Sequence, residues 1–329
     1  MKPTGRVTHL KVVLTFLLIW VLLPKLAPCA MRGYSMPGKL VYVRDHYMHI
    51  NCMGKGHPTV VLDSGLGGTS LDWALIQPKV AQYTRVCSYD RSGYGWSDGG
   101  LGPRTSFTIM DELHLLLDAA NVPGPYVLVG HSFGGFNMRL FANAHPEDTA
   151  GLVLVDASHE QQFMRLEKPG SGPSLAPQGP FVIFAQPKVP SGLPRTLQPV
   201  ALALMSTPAS YIAVSGELAG LRQSAMEVAH HEWLPQVPIV VVTRGRRVWP
   251  KTAEGDRKEA IWRNLQNDLA HRNRQSVHLI AHNSGHYIPL EQPDVVSNAI
   301  CIAIGTARAD NRLHDGSASL IWLKHRCHL

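Results

Sequence analysis

Two hydrophobic rhythms divide this chain. KLVYVRDHYMHINC, from Lys39 to Cys52, alternates apolar and polar residues, the period-two pattern of a half-exposed hairpin. TVVLDSGLGG is different: its apolar run has no polar beat and ends in glycines, as a central strand entering a tight loop would. A helix is predicted from Ser70 to about Tyr83. RVCSYDRSGYGWSD then repeats the buried run and glycine-rich loop. Residues 106 to 121 place Leu113, Leu116, Leu117 and Ala120 on one helical face. PYVLVG reads as another strand, and Phe136, Leu140, Phe141 and Ala144 line one face of the helix behind it. GLVLVDAS follows as a further strand. Strands too apolar to face water, alternating with helices, predict a parallel sheet covered on both faces.

The regularity stops at residue 159. From there to about 235 prolines recur, among them PGSGPSLAPQGP, with a helix-prone portion near Ser215 to His230. Phe181, Ile183 and Phe184 recur within it, so this stretch reads as an inserted cap and not as a linker. PIVVVTRG resumes the sheet, residues 256 to 271 look helical, and SVHLIAHNSGH forms a last strand and loop. The closing helix carries Val295, Val296, Ala299, Ile300, Ala303 and Ile304 at helical spacing. From Arg308 to Leu329 the sequence is mostly polar and basic, and a loosely held tail is predicted.

Composition adds bounds. The 329 residues are 45% hydrophobic and 17% charged, which suits one large α/β domain with an insertion or two modest domains. The net charge of +7 is partly terminal, in Lys2, Arg6, Lys11, Lys324 and Arg326. No dense basic stripe with interleaved aromatics is present, so nucleic acid is not expected as a partner. At the N-terminus, basic residues precede an apolar run from Val12 to Leu23 that Pro24 and Lys25 stop. That run is nearer a signal-peptide core than a spanning helix, so residues 1–37 predict export, by cleavage or by a retained membrane anchor.

Candidate chemistry centres on Gly130-His131-Ser132-Phe133-Gly134. A serine hydroxyl is a poor nucleophile unless it is presented clear of its own backbone, within reach of a base. A strand turning abruptly into a helix does this, and the close backbone approach at the turn requires Gly130 and Gly134. Gly135 lets the helix lie tight against its neighbour. The pentapeptide is a G-x-S-x-G nucleophile elbow in its required strand–turn–helix setting.

With DSGLGG, YDRSGYGWSD, GHSFGG, LVLVDASHE and SGHYIPLEQPDVV in this order, residues 38 to 306 resemble an α/β-hydrolase-fold serine hydrolase. The resemblance is to the branch with a proline-iminopeptidase-like or haloperoxidase-like arrangement. It implies the α/β-hydrolase fold: a mostly parallel eight-stranded sheet flanked by helices, with a helical cap inserted after strand six. The core would then comprise residues 38–158 and 236–306, the cap 159–235 and the tail 307–329. It also implies a triad in the order serine, acid, histidine. The base is His286, in the loop Ser284-Gly285-His286 beyond the last strand, whereas His278 and His282 lie within or just after that strand. For the acid, Asp156 ends LVLVD on the carboxyl edge where ligands bind parallel sheets. The rivals are Asp256 and Glu254, well beyond PIVVVT, where many such hydrolases keep the acid. The usual His-Gly before the oxyanion loop is replaced by Ser64-Gly65.

Under this mechanism Ser132 attacks a carboxylic ester, or an amide, and the backbone amides of Leu66 and Phe133 hold the oxyanion. The rival from another class is a hydrolase-fold protein that binds a small ligand without turnover. Asp90 and Arg91 are expected to form an internal ion pair, and Trp73 and Trp96 either edge the pocket or pack in the core. His230-His231-Glu232 lacks the spacing of a helical zinc motif, and no metal or organic cofactor is assigned. Five cysteines, Cys29, Cys52, Cys87, Cys301 and Cys327, are too sparse for a disulfide scaffold. Cys52 and Cys87 read as small buried hydrophobes, and in the implied fold their strands could be neighbours and bridge outside the cytoplasm.

Overall fold

The computed structural model describes residues 35–167, 187–274 and 276–314, with side chains to residue 309. Residues 1–34 of the predicted leader, residues 168–186 of the predicted cap and the tail beyond residue 314 lie outside the described residues. Eight strands form one sheet: β1 (Lys39–Val43), β2 (His46–Met53), β3 (Thr59–Asp63), β4 (Val86–Tyr89), β5 (Tyr126–His131), β6 (Thr149–Val155), β7 (Ile239–Arg244) and β8 (Ser276–Ala281). Their order is β1-β2-β4-β3-β5-β6-β7-β8, with β1 and β2 antiparallel to their neighbours and the other pairings parallel.

The predicted helix from Ser70 to Tyr83 divides into a 3-10 turn at Ser70–Trp73 and a short helix, α1 (Gln77–Val80). Pro78 explains the break. It has no N–H to donate and its ring would strike the carbonyl four residues earlier, so it is tolerated only in the first turn of a new helix. The next helices, α2 (Ser106–Ala119) and α3 (Gly134–Ala144), follow their apolar spacing.

Between β6 and β7 the chain leaves the sheet for α4 (Gln162–Leu166), α5 (Gln198–Met205) and α6 (Pro208–His230). This last helix starts earlier than its apolar pattern suggests, because Thr207 caps it by accepting from the Ser210 amide and Pro208 opens its first turn. The remaining helices are α7 (Ala253–Ala270), α8 (Ile288–Glu291) and α9 (Pro293–His314), the last running past Arg308, where the polar tail was expected to begin. No single described helix is long and apolar enough to cross a membrane.

Strand alternation sorts the core into two layers. Val127 and Val129 of β5 join Val296, Ala299, Ile300 and Ile304 of α9, with Trp73 and Ile76, on one face. Leu128 and Tyr126 join Leu113, Leu116, Phe136 and Phe141 of α2 and α3 on the other. With both faces buried, strands β3 to β7 carry apolar side chains on each, which is why their sequences show no alternation. The chain reverses its direction of travel across the sheet at β3 and again at β4, so the connections after the adjacent strands β3 and β5 leave in opposite directions and a crevice opens beyond their carboxyl ends.

Candidate active site

Ser132 is the first residue past β5, and its amide still donates to the Val155 carbonyl at 3.0 Å. Its φ is +52°, the left-handed region that costs a non-glycine residue about 1–3 kcal/mol and lifts this side chain from the turn. The turn tolerates no side chain at Gly130, where a Cβ would lie 2.5 Å from the Gly134 carbonyl oxygen. Asp156 ends β6 in a similar way, at φ +41°. His286 lies in the loop between β8 and α8. Three loops from three parallel strands thus converge on one edge of the sheet.

The three side chains meet. His286 Nε2 lies 2.9 Å from Ser132 Oγ, and His286 Nδ1 lies 2.6 Å from Asp156 Oδ2. The order of contacts implies one tautomer: Nδ1–H donates to the carboxylate, and Nε2 accepts from the hydroxyl. Asp156 is fully buried and takes further hydrogen bonds from Arg244 Nη1 at 2.9 Å, Trp262 Nε1 at 2.8 Å and the Arg244 amide at 3.3 Å. Burial alone would raise its pKa, but the His286 hydrogen bond, the His286 and Arg244 charges and the Trp262 donor outweigh it and hold the carboxyl below its ordinary range. The rival acids are occupied elsewhere. Asp256 is exposed and paired with Arg247 at 2.8 Å, and Glu254 pairs with Arg257 and Lys258.

Two partners escaped the sequence reading. Arg244, a cation, stands at the end of β7. Its guanidinium lies between Trp249 and Trp262, 4.9 and 5.0 Å from their ring centres, and it also reaches Glu259 at 3.3 Å. His131 is the other: its Nε2 donates to the His286 backbone carbonyl at 2.8 Å. Burial, with His286 alongside, pushes the His131 imidazole down to about 3 and keeps it neutral. Its place beside the candidate nucleophile in GHSFG was the only signal. Trp73 is core, and Trp96 packs against His49 near the Leu71–Leu193 cluster.

Neither the Leu66 nor the Phe133 amide donates to another group among the described residues. Leu66, Ser132 and His286 border two cavities that meet at the serine. The smaller, about 260 Å³, is walled by Asp72, Thr69 and Tyr287 with Lys188, Leu193 and Met205 from the insertion. Burial and the neighbouring Asp90 push the Asp72 carboxyl up to about 7. The larger, about 490 Å³, is apolar, with Phe133, Phe163, Leu166, Leu221, Val248 and Trp249 in its walls.

Among the described residues, two clusters bring possible metal-ligand atoms within 4.8 Å of one another: His114, His145 and Asp148, and His159, Glu160 and Asp268. In the first, the imidazoles stack nearly parallel at 3.9 Å, so one ion cannot lie in both ring planes. In the second, Arg139 and Arg272 already neutralise Glu160. None of these residues lines the two cavities.

A family model described as the alpha/beta hydrolase family matches residues 60–299. The Bacillus subtilis uncharacterized protein YqjL is 26% identical over 247 residues, covering 75% of this chain and 83% of that protein. The probable transporter efuK of Hormonema carpetanum is 34% identical over 115 residues, and the match spans 34% of this chain but only 16% of efuK. A thermophilic esterase from Thermogutta terrifontis superposes with a TM-score of 0.56 at 21% identity, over 80% of this chain and 96% of the esterase; at that identity the likeness is one of fold.

Proposed function

Starting from the fact that this chain belongs to the alpha/beta hydrolase family, we propose that it is a serine hydrolase cleaving a carboxylic ester through an acyl-enzyme. One observation carries the reading: the unbroken hydrogen-bond chain from Ser132 Oγ through His286 to the buried Asp156 carboxylate. His286 Nε2 takes the hydroxyl proton as Oγ attacks the carbonyl carbon. The Leu66 and Phe133 amides receive the oxyanion, a contribution of about 10²–10³ in kcat for each donor. Imidazolium then gives its proton to the departing alkoxide, and the ester carbon is left on Ser132. A water molecule, deprotonated by the same Nε2, attacks this acyl group and returns the free serine. Asp156 holds the tautomer and stabilises the imidazolium without taking the proton.

The unequal walls of the two cavities support a substrate with one apolar and one polar side. A Cys52–Cys87 disulfide between β2 and β4 supports the export reading, since such bonds persist in oxidising compartments.

A fluorophosphonate probe tests the central claim. Wild-type protein should be labelled and should hydrolyse p-nitrophenyl esters of graded acyl length, and Ser132→Ala should do neither. An unlabelled, folded wild type would support ligand binding without turnover instead.

A further inference from the structure

Arg91 follows β4 and is 2% exposed, yet none of its five N–H groups lacks a partner. Nε and Nη2 bind the two carboxylate oxygens of Glu217 at 2.6 and 3.0 Å, and Nη1 binds Asp63 Oδ1 at 2.7 Å. The other two N–H groups go to backbone: Nη1 to the Ser64 carbonyl at 2.7 Å and Nη2 to the Gly65 carbonyl at 2.9 Å. Its guanidinium also lies 5.6 Å from the Phe133 ring centre. One cation therefore touches both segments that carry the candidate oxyanion amides.

Peptide geometry gives this contact a direction. In a planar trans peptide the carbonyl and the N–H point opposite ways. Anchoring the Gly65 oxygen on Arg91 thus turns the Leu66 N–H away from Arg91, and Leu66 borders both cavities. We propose that Arg91 is a positioning residue that aims the Leu66 amide at the developing oxyanion, and that Glu217 makes this aim depend on the docking of α6. The inference rests on the proposed hydrolase reading and adds the device that orients its oxyanion hole.

Glu217 belongs to the insertion between β6 and β7, fully buried on α6, where Tyr94 Oη donates to it at 2.8 Å. The helix is seated closely on the loop after β4: a Cβ at Gly93 would lie 2.7 Å from that of Ala213. Ser224 and Glu227 of α6 also accept from the Ser106 and Phe107 amides at 2.9 and 2.8 Å. On the other side, Asn137 Nδ2 holds the second Asp63 oxygen at 2.7 Å. Burial works against the charge of Arg91, but Glu217 and Asp63 raise its pKa well above the ordinary value, so the anchor stays cationic. Lysine would keep the charge, but its single ammonium cannot span Glu217 and both carbonyls in one plane.

The test sets Arg91→Lys beside Arg139→Lys, which weakens an equally buried ion pair, Arg139–Glu160, that does not touch the Ser64–Leu66 loop. At a temperature where both variants are folded, Arg91→Lys should lower kcat and the fluorophosphonate labelling rate by about 10- to 100-fold, with KM within about threefold of wild type. Arg139→Lys should lose stability but keep its labelling rate. Should Arg91→Lys not fold, Glu217→Gln carries the test, with a loss of about tenfold in kcat expected. A folded Arg91 or Glu217 variant with wild-type kcat, or one no slower than Arg139→Lys, overturns the inference and leaves the hydrolase reading intact. An unlabelled wild type overturns both.

Discussion

Asp156 draws its hydrogen bonds from His286, Arg244 and Trp262, three side chains that no local pattern in the sequence associates with it. If it fixes the His286 tautomer, Asp156→Asn should lower kcat about ten-thousand-fold while the protein stays folded. Asp256 is exposed and pairs with Arg247 instead of His286, and steady-state kinetics of Asp256→Asn should fall within roughly twofold of wild type. His131 makes a prediction about pH. Its folded pKa is depressed to about 3, so the unfolded chain takes up the proton first, and protonation favours unfolding. Its contribution to stability is complete above about 6.5 and is lost as pH falls toward 3, at up to about 1.4 kcal/mol per pH unit. Urea unfolding between pH 4 and 7 should therefore show a shallower acid slope in His131→Asn; an unchanged slope would remove this residue from the account.

Elements place these residues only because their junctions are tight. The turn from β5 into α3 holds Ser132 at positive φ between backbone segments in van der Waals contact. Gly130→Ala should destabilise the fold by about 1–3 kcal/mol, because the obstructing atom is a backbone carbonyl that cannot rotate aside. The same variant should lose fluorophosphonate labelling even where calorimetry finds it folded, since the elbow must open to admit the methyl group. At the broken helix after β3, Pro78 interrupts a pattern that apolar spacing alone carries unbroken to Tyr83.

At the scale of the molecule, antiparallel β2 is joined to β4 by the Cys52–Cys87 disulfide, across residues directly opposite in the ladder. The bond closes a loop of sequence separation 35, which corresponds to about 3–4 kcal/mol of lost unfolded-state entropy. Replacing both cysteines by alanine should lower the unfolding free energy by that amount in urea titrations. Labelling of the folded variant should not change, because Cys87 lies at the amino end of β4 and the candidate site lies beyond the carboxyl ends. The sheet also explains why two cavities share one serine. The insertion after β6 closes over the carboxyl edge from both sides, with Met205 in one cavity and Phe163 in the other.

Much of this was written locally. Buried strands lack alternation because both faces of a parallel sheet are covered, and GHSFG needs its glycines because backbone meets backbone there. Such constraints act within a few residues, so the chain alone marks the sheet, the elbow and the loop carrying His286. The choice of Asp156 over Asp256 and Glu254 was different. It depended on which carboxylate lay within hydrogen-bond reach of an imidazole 130 residues away, and only packing sets that distance. Arg244, Arg91 and Glu217 belong to the same class. A charged side chain carries no periodic signal, and its partners are chosen by the burial that leaves it no water to bind.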